Sequence, residues 1–378
     1  MIDNWRQTTI GDEISLAYGK ALPARDRQVG NVLVFGSNGI VGRHSTAAVS
    51  GPGIIVGRKG SVGEVVFSCQ PFWPIDTTYY VVNERGHDWK FLYYLLIHAK
   101  LTGLNSHSAV PGLNREDVYS INVCVPDRAE QEEIAKALAF VESSVRHESN
   151  ALGTASDLKR AVTKRLFERG SCDELPASTE ADGERWPRSW RRARLGDVAD
   201  VSWGDTTTTK ASYVAAGFQA FSASGRDGFL PYADFNRTGV VLSAIGAQCG
   251  KTWLAKGSWS CIKNTIRFWA TDPEVDTEFL YRLTSEPGRW AKRGSAQAFI
   301  SQGDARDRMI AYPPISEQRE IVAMLSRIDE KLNLHEQRLV VLKRLFDALL
   351  NELMTGRILV SNLDLSALPT DEPVGAAL

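Results

Sequence analysis

Two cationic side chains stand between glycines in GRKGSVG, residues 57–63. Glycines let a backbone approach a ligand closely, and the neighbouring Arg58 and Lys59 suit phosphate groups or the edge of a guanine base. Together with Ser61 they form a candidate contact to nucleic acid, for which a solvated turn is the alternative. As a nucleotide-phosphate loop, the segment lacks the G-x-G-x-x-G spacing and the acidic residue expected downstream, so that interpretation is weak.

Other polar side chains lie in similar turns, where Asn and Arg can read adenine and guanine through paired hydrogen bonds. Asn38, Arg43 and His44 lie in SNGIVGRHS, and His107 precedes VPGL. The candidates later in the chain are Ser222, Ser224, Arg226, Gln248, Lys251, Lys263, Asn264 and Gln297. For each candidate, an exposed turn or a capping role is the alternative to a contact with DNA.

Aromatic side chains are a further class that can stack on bases. Those near the candidate turns are Tyr79, Tyr80, Trp253, Trp259 and Trp269. Their spacing is that of strands, which favours burial in a core over stacking on DNA.

No pattern in the chain assembles a catalytic site. The sequence contains no Asn-Pro-Pro-Tyr methyltransferase motif, no Walker loop and no G-x-S-x-G elbow. Asp76 could belong to a nuclease-like carboxylate pair, but Lys263 stands at its place in the repeat described below. The five cysteines and six histidines show no zinc spacing. We therefore expect a protein without catalytic residues, metal or cofactor.

The chain repeats itself. WRQTTIGDEISLAYG (5–19) aligns with WRRARLGDVADVSWG (190–204), and GIIVGRKGSVGEV (53–65) with GVVLSAIGAQCGK (239–251). Each copy closes on a proline-led helix opening, PDRAEQEEI from 126 and PPISEQREI from 313, by which point the offset has grown from 185 to 187. Matches in the same order over so much of each half predict a duplicated architecture.

Each copy has a glycine-rich part and a helical part. Short β-branched runs predict strands, with helices near 88–100 and 277–293. Beyond each proline, apolar residues follow a 4-3-4 spacing typical of a coiled coil. In the second copy they are Ile321, Leu325, Ile328, Leu332, Leu339, Leu342, Phe346, Leu349 and Leu353. In the first they are Ile134, Leu138, Val141, Val145, Leu152, Ala155, Val162 and Leu166, interrupted by Glu148 and Lys159.

The two sets of apolar residues form a stripe along each predicted helix. They favour one antiparallel coiled coil over two independent amphipathic helices, because the two helices begin at equivalent positions of the repeat. His335 occupies the polar slot of the second stripe, and Glu148 the equivalent slot of the first. Polar residues at such positions often fix the register of a coiled coil. We therefore expect Glu148 to lie near His335.

The predicted fold is α+β: two pseudo-symmetric, mainly β domains separated by two long helices that form an antiparallel coiled coil. The expected boundaries are 1–127 and 186–314 for the domains, 128–170 and 315–357 for the helices, 171–185 for an acidic linker and 358–378 for a flexible tail. The net charge is −1, yet 186–314 holds 17 Lys and Arg against 12 Asp and Glu. The longest apolar run, FLYYLLIHA, is too short for a bilayer, and we expect a cytoplasmic protein.

The ordered combination of these motifs, present twice, resembles the specificity (S) subunits of type I restriction–modification systems. The residues that carry the resemblance in the first copy are Gly11-Asp12, Arg58 through Gly63, Val110 through Leu113, and Pro126 with Gln131, Ile134 and Leu138. In the second copy they are Gly196-Asp197, Gly246 through Gly250, Ser295-Ala296, and Pro314 with Gln318, Ile321, Leu325, Ile328 and Asp329. The second copy departs from the pattern, with Ala244-Ile245 in place of the basic pair and QAFI in place of VPGL.

The resemblance implies a non-catalytic subunit in which each globular part is a target-recognition domain that reads half of a split, asymmetric site in double-stranded DNA. It also implies that the helices set the spacing and dock two methyltransferase subunits, which restriction/translocase subunits join. S-adenosylmethionine and ATP/Mg would then bind only partners, and no membrane is involved. The implied interface or spacer residues are Gln131, Ile134, Leu138, Gln318, Ile321, Leu325 and Ile328, with N-terminal capping an alternative for the glutamines. A coiled-coil scaffold without DNA binding is the alternative function.

Overall fold

The computed structural model describes residues 5–105, 112–173, 185–286, 288–294 and 297–365. The chain forms two compact units, one of Met1–Ala151 with His335–Leu378 and one of Leu152–Leu334. Each unit thus contains one globular copy of the repeat and a segment of each long helix. Most of the predicted linker at 171–185 lies outside the described residues.

The globular part of the first unit consists of short strands and short helices. In chain order they are β1 (Arg6–Thr9), α1 (Ile10–Glu13), β2 (Ser15–Tyr18), β3 (Val32–Gly36), β4 (Gly39–His44), β5 (Gly53–Gly57), β6 (Val65–Ser68), β7 (Phe72–Pro74), β8 (Thr78–Val82), α2 (Trp89–His98), α3 (Arg115–Tyr119) and β9 (Asn122–Val125). One antiparallel sheet has the strand order β2-β8-β5-β6. A smaller sheet has the order β4-β3-β7, with β3 and β7 parallel, and β1 pairs with β9.

The second unit repeats this arrangement after the first long helix, α4 (Arg128–Arg169). Its elements are β10 (Arg191–Arg194), α5 (Leu195–Val198), β11 (Ala199–Trp203), β12 (Phe218–Ser222), β13 (Gly225–Leu230), β14 (Phe235–Asn236), β15 (Gly239–Ser243), β16 (Thr252–Ala255), β17 (Ser258–Cys261), β18 (Thr265–Ala270), α6 (Thr277–Thr284), α7 (Gln302–Arg306) and β19 (Met309–Tyr312). The sheet orders β11-β18-β15-β16 and β13-β12-β17-β14, with the pair β10-β19, correspond to those of the first unit, with β14 as an added edge strand. The second long helix, α8, follows at Ile315–Met354.

The same aromatic contact joins the two parallel strands of one sheet in each unit, β3 with β7 in the first and β12 with β17 in the second. Phe35 packs edge-on against Phe72 at a centroid distance of 5.9 Å, and Phe221 packs likewise against Trp259 at 6.0 Å. The candidate stacking residues Tyr79, Trp259 and Trp269 are buried in cores. They are therefore core residues and are not available to stack on bases.

The Gly-Asp pair near the start of each copy has a packing reason. A Cβ at Gly11 would lie 2.7 Å from the Tyr119 Cβ, and one at Gly196 would lie 3.1 Å from the Arg306 Cβ. Glycine therefore lets the one-turn helices α1 and α5 pack closely on α3 and α7. In α1 the aspartate also completes a capping box with Thr9.

The two long helices pack through the predicted apolar stripes. In the first unit Ile134 and Leu138 of α4 share a core with Leu353 of α8, near the beginning of one helix and the end of the other. In the second unit Leu166 of α4 shares a core with Ile321 of α8. Within each unit the pairing is therefore antiparallel, and the predicted α+β fold with packed long helices is confirmed.

Charged side chains at the interruptions of the first stripe bind polar side chains of the other helix. In the first unit Glu148 Oε1 lies 2.6 Å from His335 Nδ1. In the second unit Lys159 Nζ lies 2.6 Å from Asp329 Oδ1, and Arg282 binds the other oxygen of that carboxylate. Although burial opposes it, these two cations hold the pKa of Asp329 below its usual range.

One expectation about the end of an element is wrong. The helix predicted at 277–293 ends at Thr284, since the sequence continues into Pro287 and a residue before proline disfavours the helical conformation. The predicted flexible tail contains a 3-10 turn at Val360–Asn362, where Val360 and Leu363 pack on the first unit's core. Residues 366–378 lie outside the described part. No helix among the described residues is long and apolar enough to cross a membrane.

Candidate nucleic-acid interface

Backbone hydrogen bonds hold the loop between β5 and β6 in place. The amides of Arg58 and Lys59 both donate to the Thr77 carbonyl, at 2.9 and 3.1 Å. Gly60 and Gly63 have φ angles of +84° and +78°, a conformation that favours glycine. The glycines of GRKGSVG thus form a tight loop that presents Lys59 and Ser61 at one edge of the sheet, while Val62 is buried.

The two cations of this loop differ in freedom. The Arg58 guanidinium lies 5.1 Å from the Tyr18 ring centroid and 5.9 Å from that of Tyr79, and its Nη2 donates to the Asp76 carbonyl at 2.8 Å. Lys59 is exposed and has no partner among the described residues. Arg58 is therefore fixed against its own sheet, while Lys59 can reach a phosphate.

The turn between β3 and β4 lies beside this loop. Ser61 Oγ donates to Asn38 Oδ1 at 3.4 Å, which leaves the Asn38 amide nitrogen to face solvent. Arg43, on β4, is exposed and donates to the Asn31 carbonyl at 3.3 Å. Asn38, Ser61 and Lys59 therefore form one polar edge, and Arg43 lies further along the outer strand.

His44 and Ser222 do not fit the predicted role of DNA contacts. His44 is 7% exposed; its Nδ1 accepts the Gln28 amide at 3.0 Å and its ring packs edge-on against Trp73. Ser222 is 3% exposed and donates to Asp227 Oδ2 at 2.7 Å. Both polar groups are already satisfied inside the fold. His107 lies outside the described residues.

The remaining candidates of the second unit are mostly exposed. They are Ser224, Arg226, Lys251, Lys263, Asn264 and Gln297, with Gln248 half-buried. Asn264 has a φ of +70° and its carbonyl accepts the Ala244 amide at 3.0 Å, so its backbone anchors the loop between β15 and β16. Asparagine tolerates this left-handed conformation better than most residues, so the backbone conformation is a second explanation for an asparagine at this position.

One residue beside Arg58 and its counterpart in the second unit escaped prediction. Arg115 also lies over the Tyr18 ring, 4.7 Å from its centroid, and its Nη1 donates to the Leu16 carbonyl at 3.2 Å. In the second unit Gln302 occupies the equivalent place and donates to the Val201 carbonyl at 2.9 Å. The internal alignment, which pairs position 115 with 302 at an offset of 187, is the signal that would have found them.

The glutamines that open the long helices are buried and bind backbone. Gln131 is 2% exposed, accepts the Asp88 amide at 2.9 Å and donates to the Pro126 carbonyl at 3.0 Å. Gln318 is fully buried, accepts the Asp276 amide at 2.8 Å and donates to the Pro313 carbonyl at 2.8 Å.

The apolar members of the predicted interface set share this position. Ile134, Leu138, Ile321 and Leu325 are 0–1% exposed, and Ile328 packs on the core. Together with the two glutamines they pack the beginning of each long helix against the globular part that precedes it.

A buried charge network occurs in the first unit alone among the described residues. The Glu13 carboxylate, whose side chain is fully buried, accepts from Arg6, Thr8 and His87 at 2.6–2.8 Å. Burial alone would raise its pKa, but these donors lower it to about 2. Val198 takes the corresponding place in the second unit. Among the described residues, no group of three or more His, Cys, Asp or Glu side chains could hold a metal ion.

Comparisons with known proteins agree with this architecture. A family model described as the type I restriction modification DNA specificity domain matches residues 2–152 and again 187–344. The chain is 20% identical over 339 residues to the type I restriction enzyme MjaIX specificity subunit of Methanocaldococcus jannaschii, with 82% of this chain and 78% of that protein covered. It is 21% identical over 370 residues to the EcoDI specificity subunit of Escherichia coli, covering 86% and 81%.

Solved structures show the same fold. The crystal structure of the type I restriction-modification system S subunit from M. genitalium superposes with a TM-score of 0.68 at 18% identity, over 93% of this chain and 96% of that one. A chain from a structural study of complex assembly and conformational transition of the type I R-M system gives a TM-score of 0.53 at 16% identity, over 94% and 99%.

Proposed function

The chain belongs to the type I restriction–modification DNA specificity family, and on this premise we propose that its two globular parts each read one half of a split, asymmetric DNA site. The family assigns it DNA recognition and a non-catalytic role, so it is a specificity subunit. The resemblance predicted from the motifs is thereby confirmed. A protein-only scaffold is the disfavoured alternative.

The proposal that each domain reads its own half-site rests on one observation: both domains have the same backbone framework but different side chains on it. The Leu113 amide donates to the Arg58 carbonyl at 2.8 Å, and the Ile300 amide donates to the Ala244 carbonyl at 2.9 Å. These equivalent bonds hold equivalent loops, yet the first loop has Lys59 and Ser61 where the second has Ile245 and Ala247. One framework with different side chains at its edge suits two domains that read different bases.

The helices are proposed to set the spacing and to bind two methyltransferase subunits, which restriction/translocase subunits then join. Because the apolar stripes are buried inside the chain, docking would use outward side chains. Val341 and Leu345 of α8 are 63% and 45% exposed and lie one turn apart. Exposed apolar side chains on one helical face are typical of a surface that another protein covers.

The chemistry of the complex is proposed to lie on those partners. S-adenosylmethionine would bind the methyltransferase subunits, and ATP with Mg²⁺ the restriction subunits. The five cysteines are free thiols, which fits the reducing cytoplasm where the chain would meet DNA.

Genome-wide mapping of methylated bases tests the proposal. Cells that express the chain with its methyltransferase subunits should methylate a motif of two defined segments around an undefined middle. Removal of seven residues, one heptad, from each long helix should shorten the undefined middle by about three base pairs and leave both segments unchanged. Methylation without a split motif, or its absence despite an assembled complex, would contradict the proposal.

A further inference from the structure

The outer hairpin of each unit carries a β-bulge at the same place. In β3–β4 the pairing register shifts by one residue and leaves Val41 as the extra residue. In β12–β13 the same shift leaves Asp227 as the extra residue. A bulge re-aims the side chain of the extra residue, and such features are frequent next to functional sites.

A side chain from the preceding 3-10 turn covers the glycine that follows each bulge. The Arg27 guanidinium lies on Gly42, and the Tyr213 ring lies on Gly228, in each case so close that a Cβ on the glycine would collide with it. The covering residues correspond in the repeat at an offset of 186, as do the two glycines. The arrangement was therefore retained in both copies while the covering residue changed.

Each covering side chain binds the residue at the bulge, but with different chemistry. Arg27 Nη1 donates to the Val41 carbonyl at 2.6 Å. Tyr213 Oη donates to Asp227 Oδ1 at 2.9 Å. The first element therefore presents a cation beside an apolar side chain, whereas the second presents a hydroxyl beside a carboxylate.

The Asp227 carboxylate is prepared as a hydrogen-bond acceptor. Lys210 Nζ lies 2.6 Å from Oδ2, and Ser222 Oγ donates to the same oxygen at 2.7 Å. Burial opposes ionisation, yet these donors hold the pKa of Asp227 below its usual range. Because a carboxylate has about four acceptor positions, Oδ1 keeps one for an outside donor. The ammonium of Lys210 offsets the charge, so the element does not repel a phosphate backbone.

The surroundings of Asp227 form a surface that nothing in the described chain covers. An open cleft of about 500 Å³ is lined by Tyr213, Val214, Arg226, Asp227, Gly228 and Phe229. Phe229 is 40% exposed, and the exposed Arg226 guanidinium has no partner within the described residues. On the first hairpin, Ile40 and Val41 are 44% and 41% exposed. Exposed apolar side chains next to cationic side chains suit base edges together with phosphates.

We propose that the bulge and its covering side chain form a base-reading element in each unit, Arg27 with Val41 in the first and Tyr213 with Asp227 in the second. The second element takes a base edge with an exocyclic amino group, cytosine N4 or adenine N6, which donates to Asp227. The first takes an acceptor-rich edge, such as guanine O6 and N7, with Val41 against a neighbouring thymine methyl. This inference rests on the proposed function and names the part of each domain that determines its half of the site.

Motif mapping with single variants tests it in the full chain assembled with its methyltransferase subunits. Asp227→Asn should relax one base position of one half-site, with selectivity there falling on the order of tenfold, and leave the other half-site unchanged. Arg27→Gln should relax a position in the opposite half-site only. Asp234→Asn, an exposed aspartate of the second unit outside the hairpin, is the matched control.

The outcomes separate this inference from the proposed function. If the native chain methylates no split motif, the proposed function fails. If it methylates a split motif that Asp227→Asn and Arg27→Gln leave unchanged, the base-reading elements fail and the proposed function stands. Should Asp227→Asn lower methylation uniformly through misfolding, Tyr213→Phe decides, because it keeps the ring on Gly228 and removes only the hydroxyl that binds Asp227. A relaxed position in the same half-site then supports the inference, and an unchanged motif overturns it.

Discussion

His335 Nδ1 lies 2.6 Å from Glu148 Oε1, and the two residues are counterparts in the internal repeat, 187 positions apart. When two helices related by an internal repeat pair antiparallel, a residue faces its own repeat counterpart at only one position along the pair. Their side chains are 14% and 16% exposed, so the contact is largely shielded from water. His335 is the polar position in the apolar stripe of α8, which gives this contact a role in fixing the helix register.

We expect Glu148→Gln and His335→Gln each to destabilise the first unit by about 1 kcal/mol, because a shielded hydrogen bond to a charged group is lost. The double variant should cost less than the sum of the single variants, with a coupling energy of about 1 kcal/mol. Urea unfolding of the native protein, the two single variants and the double variant measures this coupling energy. His147→Gln, an exposed neighbour, should change nothing; additive single effects would show that the pair does not interact.

The buried Glu13 carboxylate predicts an acid-dependent stability. Its pKa of about 2, against an ordinary value of 4.5, means that the folded state favours the ionised form. The stabilisation, about 3 kcal/mol, is therefore fully present above pH about 4.5 and is lost as the pH falls toward about 2.

The native protein should exceed Glu13→Gln in stability at pH 7, and the difference should shrink steadily between about pH 4.5 and 2. Denaturant midpoints across this range measure it. Glu116→Gln, which removes an exposed carboxylate of the same unit, should differ little from the native protein at any pH. A difference that stays constant with pH would contradict the assigned network.

Loss of either buried glutamine should loosen the start of the short helix that it binds. Gln131→Ala leaves the Asp88 amide without its acceptor, and Gln318→Ala does the same to the Asp276 amide. Each change should cost roughly 1–3 kcal/mol, the penalty for an unsatisfied buried group. Hydrogen exchange at the affected amide should accelerate in one unit and stay native in the other. The exposed Glu320→Ala is the control, and native exchange in Gln318→Ala would refute the structural role.

Replacement of Lys59 and replacement of Arg58, the two cations of the GRKGSVG loop, should have different effects. Lys59→Ala should leave stability unchanged, weaken DNA binding by the assembled complex at every sequence, and lower the salt dependence by about one phosphate contact. Arg58→Ala should destabilise the first unit by about 1–2 kcal/mol, because its guanidinium packs on two tyrosines. Binding isotherms at several salt concentrations, with Arg85→Ala as an exposed control, measure the first effect. An unchanged salt slope for Lys59→Ala would exclude a phosphate contact.

The long helices were predictable because the heptad spacing of apolar residues is a local sequence pattern, and those residues form the buried stripes of the folded helices. The stripe interruptions were visible too, and the contact of Glu148 with His335 was expected from their equivalent slots. The pairing of Lys159 with Asp329 was not, since it depends on which residues of the opposite helix face each other.

The recognition surface was less predictable, because burial there depends on residues distant in sequence. His44 looks like an exposed turn residue until the Gln28 amide and Trp73 enclose it. Asp227 attracted no notice because nothing local reveals a shifted strand register or the tyrosine bound to the carboxylate. Sequence patterns thus identify candidate loops but not which of their side chains are buried in the folded chain.

The bonds made by Gln131 and Gln318 bear on how such chains diversify. Each glutamine joins its long helix to the preceding unit mainly through main-chain amide and carbonyl groups, which almost any sequence supplies. Recombination that replaced the residues upstream of the proline would therefore preserve the joint. A new specificity could be inherited as an intact module without redesign of the helices.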